Sequence, residues 1–506
     1  MKILLTCFSL LLLSPQSAES QAPTPFSGFI QRLNSLDIWM RPPLIDSFMA
    51  AQKGFPVTED STANFVFRGS VSSSIVVTGD HTLWSASGQT LTNVAGTNFY
   101  YQSRKLESDA RIDYKFINDG VWILDPLNGQ TVMGGFGPNS EVAMPNYVQP
   151  QEIQYNPAIP HGTISSFPFT SINTGNTRTI QVYLPPGYLL MSRRYPSLYV
   201  HDGPDYVSLG SMANVLDNLI DAKKIEPLIV IFVSHGSDRA GEYRQSKITQ
   251  FSKLMTEELV PYVDSSYHTI ANAAQRGTMG SSDGGHISLY LAVNYSGTFG
   301  LVGGQSSTIT DLFRGPIQNG PKVPVKFYLD VGTYDVSFSG STFLDLNRGF
   351  RDILLSKGYG ITYAEYHEGH SWGNWRAHID DILKTLFPLV PVNVKTKGSA
   401  PKGFGLFEAY PNPFNPSVHF QFAVSRSESD ASPTDGWRAA MAPERQFVTL
   451  KIYDMLGQEV TTLLTKELPH GSYSAEWNAS QSTSGVYFCR LDVSGNTLTQ
   501  KIVLLK

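Results

Sequence analysis

Apolar and polar positions along the chain fall into three regimes. Between about residues 60 and 128, short runs alternate at every second position: NFVFRG, SSIVVTGD, TNFYYQSRKL, ARIDYKFIND and VWILDPLN, with turn residues between them. Period-two alternation rich in aromatic and β-branched residues predicts a small antiparallel sandwich. The Gly-, Pro- and Asn-rich stretch GGFGPNSEVAMPNYVQPQEIQYNPAIPHG follows, and marks the end of a first domain over 21–150. In the middle, continuous apolar runs (TIQVYLP, SLYVHDG, PLIVIFVS, RGTMGSS, LVGGQS, KFYLDVG, ITYAEYH) alternate with helical stretches such as LGSMANVLDNLIDAKK, ITQFSKLMTEELVPYVDSSY and FLDLNRGFRDILLSKG. That alternation predicts a largely parallel sheet covered by helices on both faces, an α/β domain over 151–392. After a polar linker at 393–403, strand patterning returns over 404–506: VHFQFAV, FVTLKIYD, SYSAEWN, GVYFCRLDV and TQKIVLLK. The polar run SRSESDASPTDGWRAAMAPERQ between the first two of these reads as an insertion in a loop.

Length and composition agree with several folded domains: 506 residues, 41% apolar and 16% charged. A net charge of −5, with no basic run of five or more, excludes a nucleic-acid partner. MKILLTCFSLLLLSPQSAES reads as a secretory signal over 1–20, too short to span a bilayer, and no later apolar run is long enough for a transmembrane segment. Beyond the signal only Cys489 remains, so no internal disulfide is expected. No His, Cys and carboxylate cluster has metal-ligand spacing, and neither metal nor cofactor is expected.

Two runs fit the Gly-x-Ser-x-Gly frame that sets a nucleophile on a tight strand-to-helix turn: Gly280–Gly284 around Ser282 and Gly369–Gly373 around Ser371. A serine hydroxyl needs an adjacent imidazole to take its proton and an acid to orient that imidazole. In the hydrolase chain order, nucleophile, acid and histidine follow one another. Ser371 fails that order, because WGNWRA up to His378 offers no acid. Ser282 meets it with Asp335 and His370, each just past a strand-like run; Asp330 is the rival acid and His367 the rival base. The second Gly-x-Ser-x-Gly then reads as a loop carrying the histidine. The oxyanion hole is expected from the backbone N–H of Asp283 and from the turn at Asp202 and Gly203. A carboxylate at 283 has to point away or be paired, with Arg239 as the candidate partner. Arg239 and Glu242 either touch substrate or pair with each other. Tyr206, Trp372 and Trp375 are candidates for an aromatic acyl pocket, against the alternative of core or rim. Trp84, Tyr100 and Tyr101 are read as sandwich core rather than as sugar contacts, and His201 as a residue packed beside the site.

On these residues, together with TRTIQVYLPPGY, YPSLYVHDGPDY, RAGEY, ELVPYVDSSY, DVGTYD and EGHSWGNWR, the middle domain resembles the esterase D family of α/β-hydrolases, which includes enterochelin, feruloyl and acetyl-xylan esterases. The resemblance implies a Ser282, Asp335, His370 triad cleaving carboxylic esters through an acyl-enzyme. Asp283 departs from it, since relatives carry Met, Leu or Phe there. The first domain is similar to an immunoglobulin-like early-set module. The tail, with YPNPFNPSVHFQF, LKIYDMLGQEV and KIVLLK, resembles the sorting domain of the type IX secretion system. The expectation is a secreted or cell-surface serine esterase, partnered by that secretion machinery and acting on feruloyl, acetyl or other polymer-linked esters. Siderophore ester hydrolysis, or a non-catalytic surface-binding protein on a hydrolase scaffold, are the alternatives.

Overall fold

A computed structural model of the chain describes residues 25–134, 137–188, 194–389, 405–407, 409–424 and 445–506. The expected signal segment, the 393–403 linker and most of the polar insertion lie outside the described residues. The chain divides into two compact units between Pro388 and Leu389.

In the first unit the central sheet runs, in spatial order, Thr163–Ser171, Asn176–Leu184, Ile229–Val233, Ser197–His201, Arg276–Ser281, Leu301–Gln305, Lys326–Tyr334 and Ile361–Gly369. The first two strands pair antiparallel with their neighbours, and from Ile229–Val233 onward every pairing along the sheet is parallel. This is the α/β-hydrolase arrangement. Successive residues of a strand point to opposite faces. Both faces are covered here, which is why the strands read as unbroken apolar runs. Leu198 and Val200 face the helices Met212–Asp221 and Ile379–Leu386 through Leu216, Leu219, Ile379 and Ile382. Tyr199 faces the other way, among Phe251, Leu259, Ile287 and Leu291. Each such side chain, taken wholly out of water, contributes about 1.5–3 kcal/mol before entropy is charged against it.

The N-terminal module forms two antiparallel sheets, with Phe65 and Phe67 of Thr62–Arg68 packed on Ile75, Val77, Ile112 and Phe116 of the other. Two helices not read from the pattern, Phe26–Ser35 and Arg41–Ala51, cover the first sheet with Phe26, Phe29, Leu33 and Ile45 against Val66 and Phe99. The module does not stand apart from the hydrolase sheet. Its strand Arg111–Asn118 lies beside Ile361–Gly369, joined by the single pair Arg111 with Glu368.

The second unit, taken by itself, is all-β: Gly405–Leu406, Ser417–Val424 and Gly471–Asn478 form one sheet, and Glu459–Pro469, Arg445–Tyr453, Gly485–Val493 and Asn496–Leu504 the other. Their inner faces meet in one core containing Phe420, Ile452, Trp477 and the fully buried Cys489, a free thiol whose ionisation burial suppresses.

Candidate active site

Strand Arg276–Ser281 ends in a sharp turn, and helix Asp283–Asn294 begins immediately after it. Ser282 sits at that turn with φ 56° and ψ −121°, a conformation a non-glycine residue holds only when its surroundings enforce it. The flanking glycines explain how. A Cβ on Gly280 would come within 2.5 Å of the Gly284 backbone, and one on Gly284 within 2.7 Å of the Asp202 carboxylate. Strand and helix therefore approach closely, and the turn pushes the Ser282 hydroxyl out beyond the strand end, where parallel sheets place their chemistry.

His370 Nε2 lies 3.0 Å from Ser282 Oγ, and His370 Nδ1 lies 2.6 Å from Asp335 Oδ1. The Asp335 carboxylate also accepts the Val336 N–H at 2.8 Å, which locks its orientation. Asp335 comes just after Lys326–Tyr334 and His370 just after Ile361–Gly369, so two adjacent strands deliver the pair. Phe343 and Trp375 pack edge-on against the imidazole at 4.9 Å each. The two rivals are elsewhere. Asp330 is fully buried within its strand beside Gln305, 3.4 Å away, and burial pushes its carboxyl up to about 7. His367 is still in its strand and pairs with Asp109 of the N-terminal module at 2.7 Å.

Asp283 is the first residue of its helix, so its N–H has no intrahelical acceptor. Its carboxylate is neutralised chiefly by Arg244, whose Nε donates to it at 2.8 Å, and by the Thr308 hydroxyl, also at 2.8 Å. Arg239, the expected partner, stands 3.7 Å off. Burial alone would raise the Asp283 carboxyl, but these hydrogen bonds and the two guanidinium charges bring it below the usual carboxylate range. Arg239 instead grips Asp202 through two hydrogen bonds of 2.8 and 2.7 Å. Arg244 also lies over the Phe338 ring at 5.0 Å.

Several expected site residues prove to be structural. The Asp202 N–H donates to the Tyr243 hydroxyl at 3.2 Å and is thereby removed from the oxyanion hole. Gly203, which opens the short helix Gly203–Ser208, keeps its N–H outside any intrahelical bond. Tyr206 is fully buried and donates to Gln305 at 2.9 Å; Trp372 packs against it at 5.0 Å, in the core. Trp375 packs edge-on against the His370 ring. Glu242 pairs with Arg178 at 2.9 Å, inside the fold, and not with Arg239. His201 is buried against Thr278, its pKa held down to about 3 by burial and by the Arg178 and Arg239 charges.

Ser371 is also accounted for. It is 8% exposed, and its Oγ accepts from Arg111 Nη1 at 3.1 Å. Arg111 is wholly buried, ion-paired to Asp113 at 2.7 Å and Glu141 at 2.5 Å. A Cβ on Gly373 would overlap the Arg111 guanidinium, and one on Gly369 the Asp80 carboxylate. The glycines of this second run thus leave room for two side chains of the N-terminal module. Arg111 and Arg244 were missed in the sequence, because each is one basic residue whose partner is distant in the chain.

Residues 171–386 match the family described as putative esterase, and residues 408–505 match the secretion system C-terminal sorting domain. The chain is 26% identical over 236 residues to the uncharacterized protein YjcH of Bacillus subtilis, covering 45% of this chain and 98% of that one. It is 31% identical over 160 residues to the endo-1,4-beta-xylanase/feruloyl esterase of Xylanibacter ruminicola, covering 29% of this chain and only 22% of that longer relative. Among solved structures, the enterochelin esterase from Shigella flexneri aligns with a TM-score of 0.54 and 19% identity over 67% of this chain and 97% of its own. The ferric enterobactin esterase from Salmonella typhimurium gives 0.56 and 18% over 67% and 98%. At such identities the likeness speaks for the fold, and its span is longer than the esterase match alone.

Proposed function

We infer that this chain, an esterase-family α/β-hydrolase domain fused to a type IX C-terminal sorting domain, hydrolyses carboxylic esters with Ser282 as nucleophile. The sorting domain indicates export, to the cell surface or the medium. The observation that carries the catalytic reading is the hydrogen-bonded relay from Ser282 through His370 to Asp335.

In that reading His370 Nε2 takes the Ser282 proton as Oγ attacks the ester carbonyl, and Asp335 accepts the Nδ1 proton's hydrogen bond, stabilising the imidazolium. The carbonyl oxygen becomes an oxyanion between the N–H groups of Asp283 and Gly203; each such donor is worth roughly 10²–10³ in rate. His370 then protonates the departing alkoxide, which leaves an acyl-Ser282 ester. Water, deprotonated by the same Nε2, attacks that ester and releases the carboxylate and free Ser282. Asp283 contributes through its backbone, while Arg244 and Thr308 keep its carboxylate from opposing the oxyanion.

For the substrate, the identity to a relative named as a feruloyl esterase and the export signal favour feruloyl or acetyl esters on plant-type polysaccharide. The test is release of ferulate from feruloylated arabinoxylan by the full chain, beside hydrolysis of enterobactin and of p-nitrophenyl acetate. Ferulate release lost in Ser282→Ala is expected. Cleavage of enterobactin in preference would move the substrate to a siderophore, and no hydrolysis of any of the three would contradict the catalytic reading.

A further inference from the structure

Beside the nucleophile, Arg244 leaves most of its hydrogen-bonding capacity unspent. It holds Asp283 through Nε, while Nη1 and Nη2, which carry the rest of the guanidinium's N–H donors, meet no acceptor among the described residues. Other arginines of this unit differ. Arg111 and Arg178 give both Nη groups to acceptors inside the fold, and Arg239 gives Nη2 to Asp202 and turns Nη1 toward Asp283 at 3.7 Å. The Arg244 side chain is 23% exposed, and its two Nη groups are open to solvent rather than sealed in the fold. The group is also held in place. Its guanidinium lies over the Phe338 ring at 5.0 Å, Phe338 meets Phe343 edge-on at 6.3 Å, and Phe343 packs on His370. Phe338 comes from a hairpin, Ser337–Phe338 with Ser341–Thr342, that starts just after Asp335. Its tip residues Ser339 and Gly340 have φ of 50° and 83°, as a tight two-residue turn requires. A planar fork fixed in this way loses little freedom when it takes up an acceptor.

Only the Asp283 side chain separates this fork from the backbone N–H at which the oxyanion would form, so an ester seated at Ser282 brings its substituents to Arg244. Charge narrows what they carry. Asp283 offsets Arg244 at 2.8 Å and Asp202 offsets Arg239 at 2.7 Å, which leaves two guanidiniums facing two carboxylates and no surplus charge for an anion. We propose that Arg244 is a substrate-binding residue whose free Nη groups receive a neutral oxygen, a hydroxyl, ether or carbonyl, of the ester held at Ser282. That oxygen lies on the acyl group or on the alcohol. Phe338 acts through Arg244, as a positioning residue. The proposal rests on the catalytic reading of Ser282 and adds to it the feature by which one ester is chosen over another.

The test is kcat/KM of the full chain and of Arg244→Lys, which keeps a cation for Asp283 but not the fork. An oxygen on the acyl ring is read from methyl ferulate against methyl cinnamate, and one on the alcohol from feruloyl-arabinose against methyl ferulate. At least one of these ratios should fall about tenfold in Arg244→Lys, the worth of one hydrogen bond from a charged donor. A less well balanced Asp283 slows both esters of a pair alike and cancels in the ratio, so a merely structural role would not move it. Phe338→Leu should lower the same ratio by a smaller factor. Both ratios unchanged by Arg244→Lys, or faster hydrolysis of methyl 4-carboxycinnamate than of methyl ferulate by the parent, would overturn the proposal. Failure of the parent on every ester, p-nitrophenyl acetate included, would remove the catalytic reading and this proposal with it. Cleavage of p-nitrophenyl acetate with ratios indifferent to Arg244 would remove the proposal alone.

Discussion

The runs GSSDG around Ser282 and GHSWG around Ser371 share a Gly-x-Ser-x-Gly frame and use it for opposite ends. Around Ser282 the glycines clear one another's backbone and the adjoining Asp202 turn, and the serine is driven to φ 56° with its hydroxyl facing His370. Around Ser371 the glycines clear side chains arriving from another module, Asp80 and Arg111, and the serine keeps an ordinary extended φ of −147° with its hydroxyl bound to Arg111. A spacing of small residues therefore reports only that something approaches closely. Whether it is a strand-to-helix turn or a visiting guanidinium decides the chemistry.

The largest separation between the two runs should appear in catalysis. Ser282→Ala should lower kcat by about 10⁶, as removal of an activated serine does, while Ser371→Ala should lose one hydrogen bond, about 1 kcal/mol of stability, and keep kcat within about tenfold. Steady-state hydrolysis of p-nitrophenyl acetate measures both. Next comes the visiting guanidinium. Arg111→Ala leaves Asp113 buried without its cation and should destabilise the first unit by about 3–5 kcal/mol, read from urea unfolding. In protein that still folds, loosening of the loop that carries His370 should lower kcat with little change in KM for a small ester. Arg111→Lys keeps the charge but not the forked geometry, and should fall between the two.

Smaller effects concern the groups around the elbow. Arg244→Ala leaves the Asp283 carboxylate to Thr308 and the more distant Arg239, exposes the developing oxyanion to more of its charge and should cost about tenfold in kcat, whereas Asp283→Leu with Arg244→Ala should recover most of it; a double-mutant cycle measures that coupling. Smallest is a pH effect at Asp330. Its pKa is raised to about 7 in the folded protein from an ordinary 3.8, so between those values the folded state holds a proton the unfolded state has released. Stability then falls as pH rises from about 4 to 7, and levels off above. Asp330→Asn should flatten that part of the wild-type dependence, measured as the difference in unfolding free energy between the two proteins.

Periodicity sufficed for the sheet strands of the hydrolase domain and for the tail, because burial of both faces in one case and one face in the other leaves a local imprint. The helices over 26–51 left less of one, since Arg41–Ala51 begins RPP and buries only Ile45 along its length. Chain order selected Ser282, Asp335 and His370 because each follows directly on its own strand. It said nothing of Tyr206, Trp372 and Glu242, left open between site and structure by the sequence and turned into the core by partners far along the chain: Gln305 for Tyr206, Arg178 for Glu242. Asp283 was recognised as needing a cation, but Arg239 and Arg244 stand at the two ends of one short helix, and only the geometry gives Arg239 to Asp202 and Arg244 to Asp283.

The most direct test of which run holds the nucleophile is labelling of the full chain with a fluorophosphonate, followed by tryptic mapping. Cleavage after Arg276 and Arg314 isolates Ser282 on residues 277–314, and cleavage after Lys357 and Arg376 isolates Ser371 on residues 358–376. The phosphonyl group is predicted on the first peptide, and Ser282→Ala should abolish it. A label on the second peptide, or one that survives Ser282→Ala, would contradict the assignment.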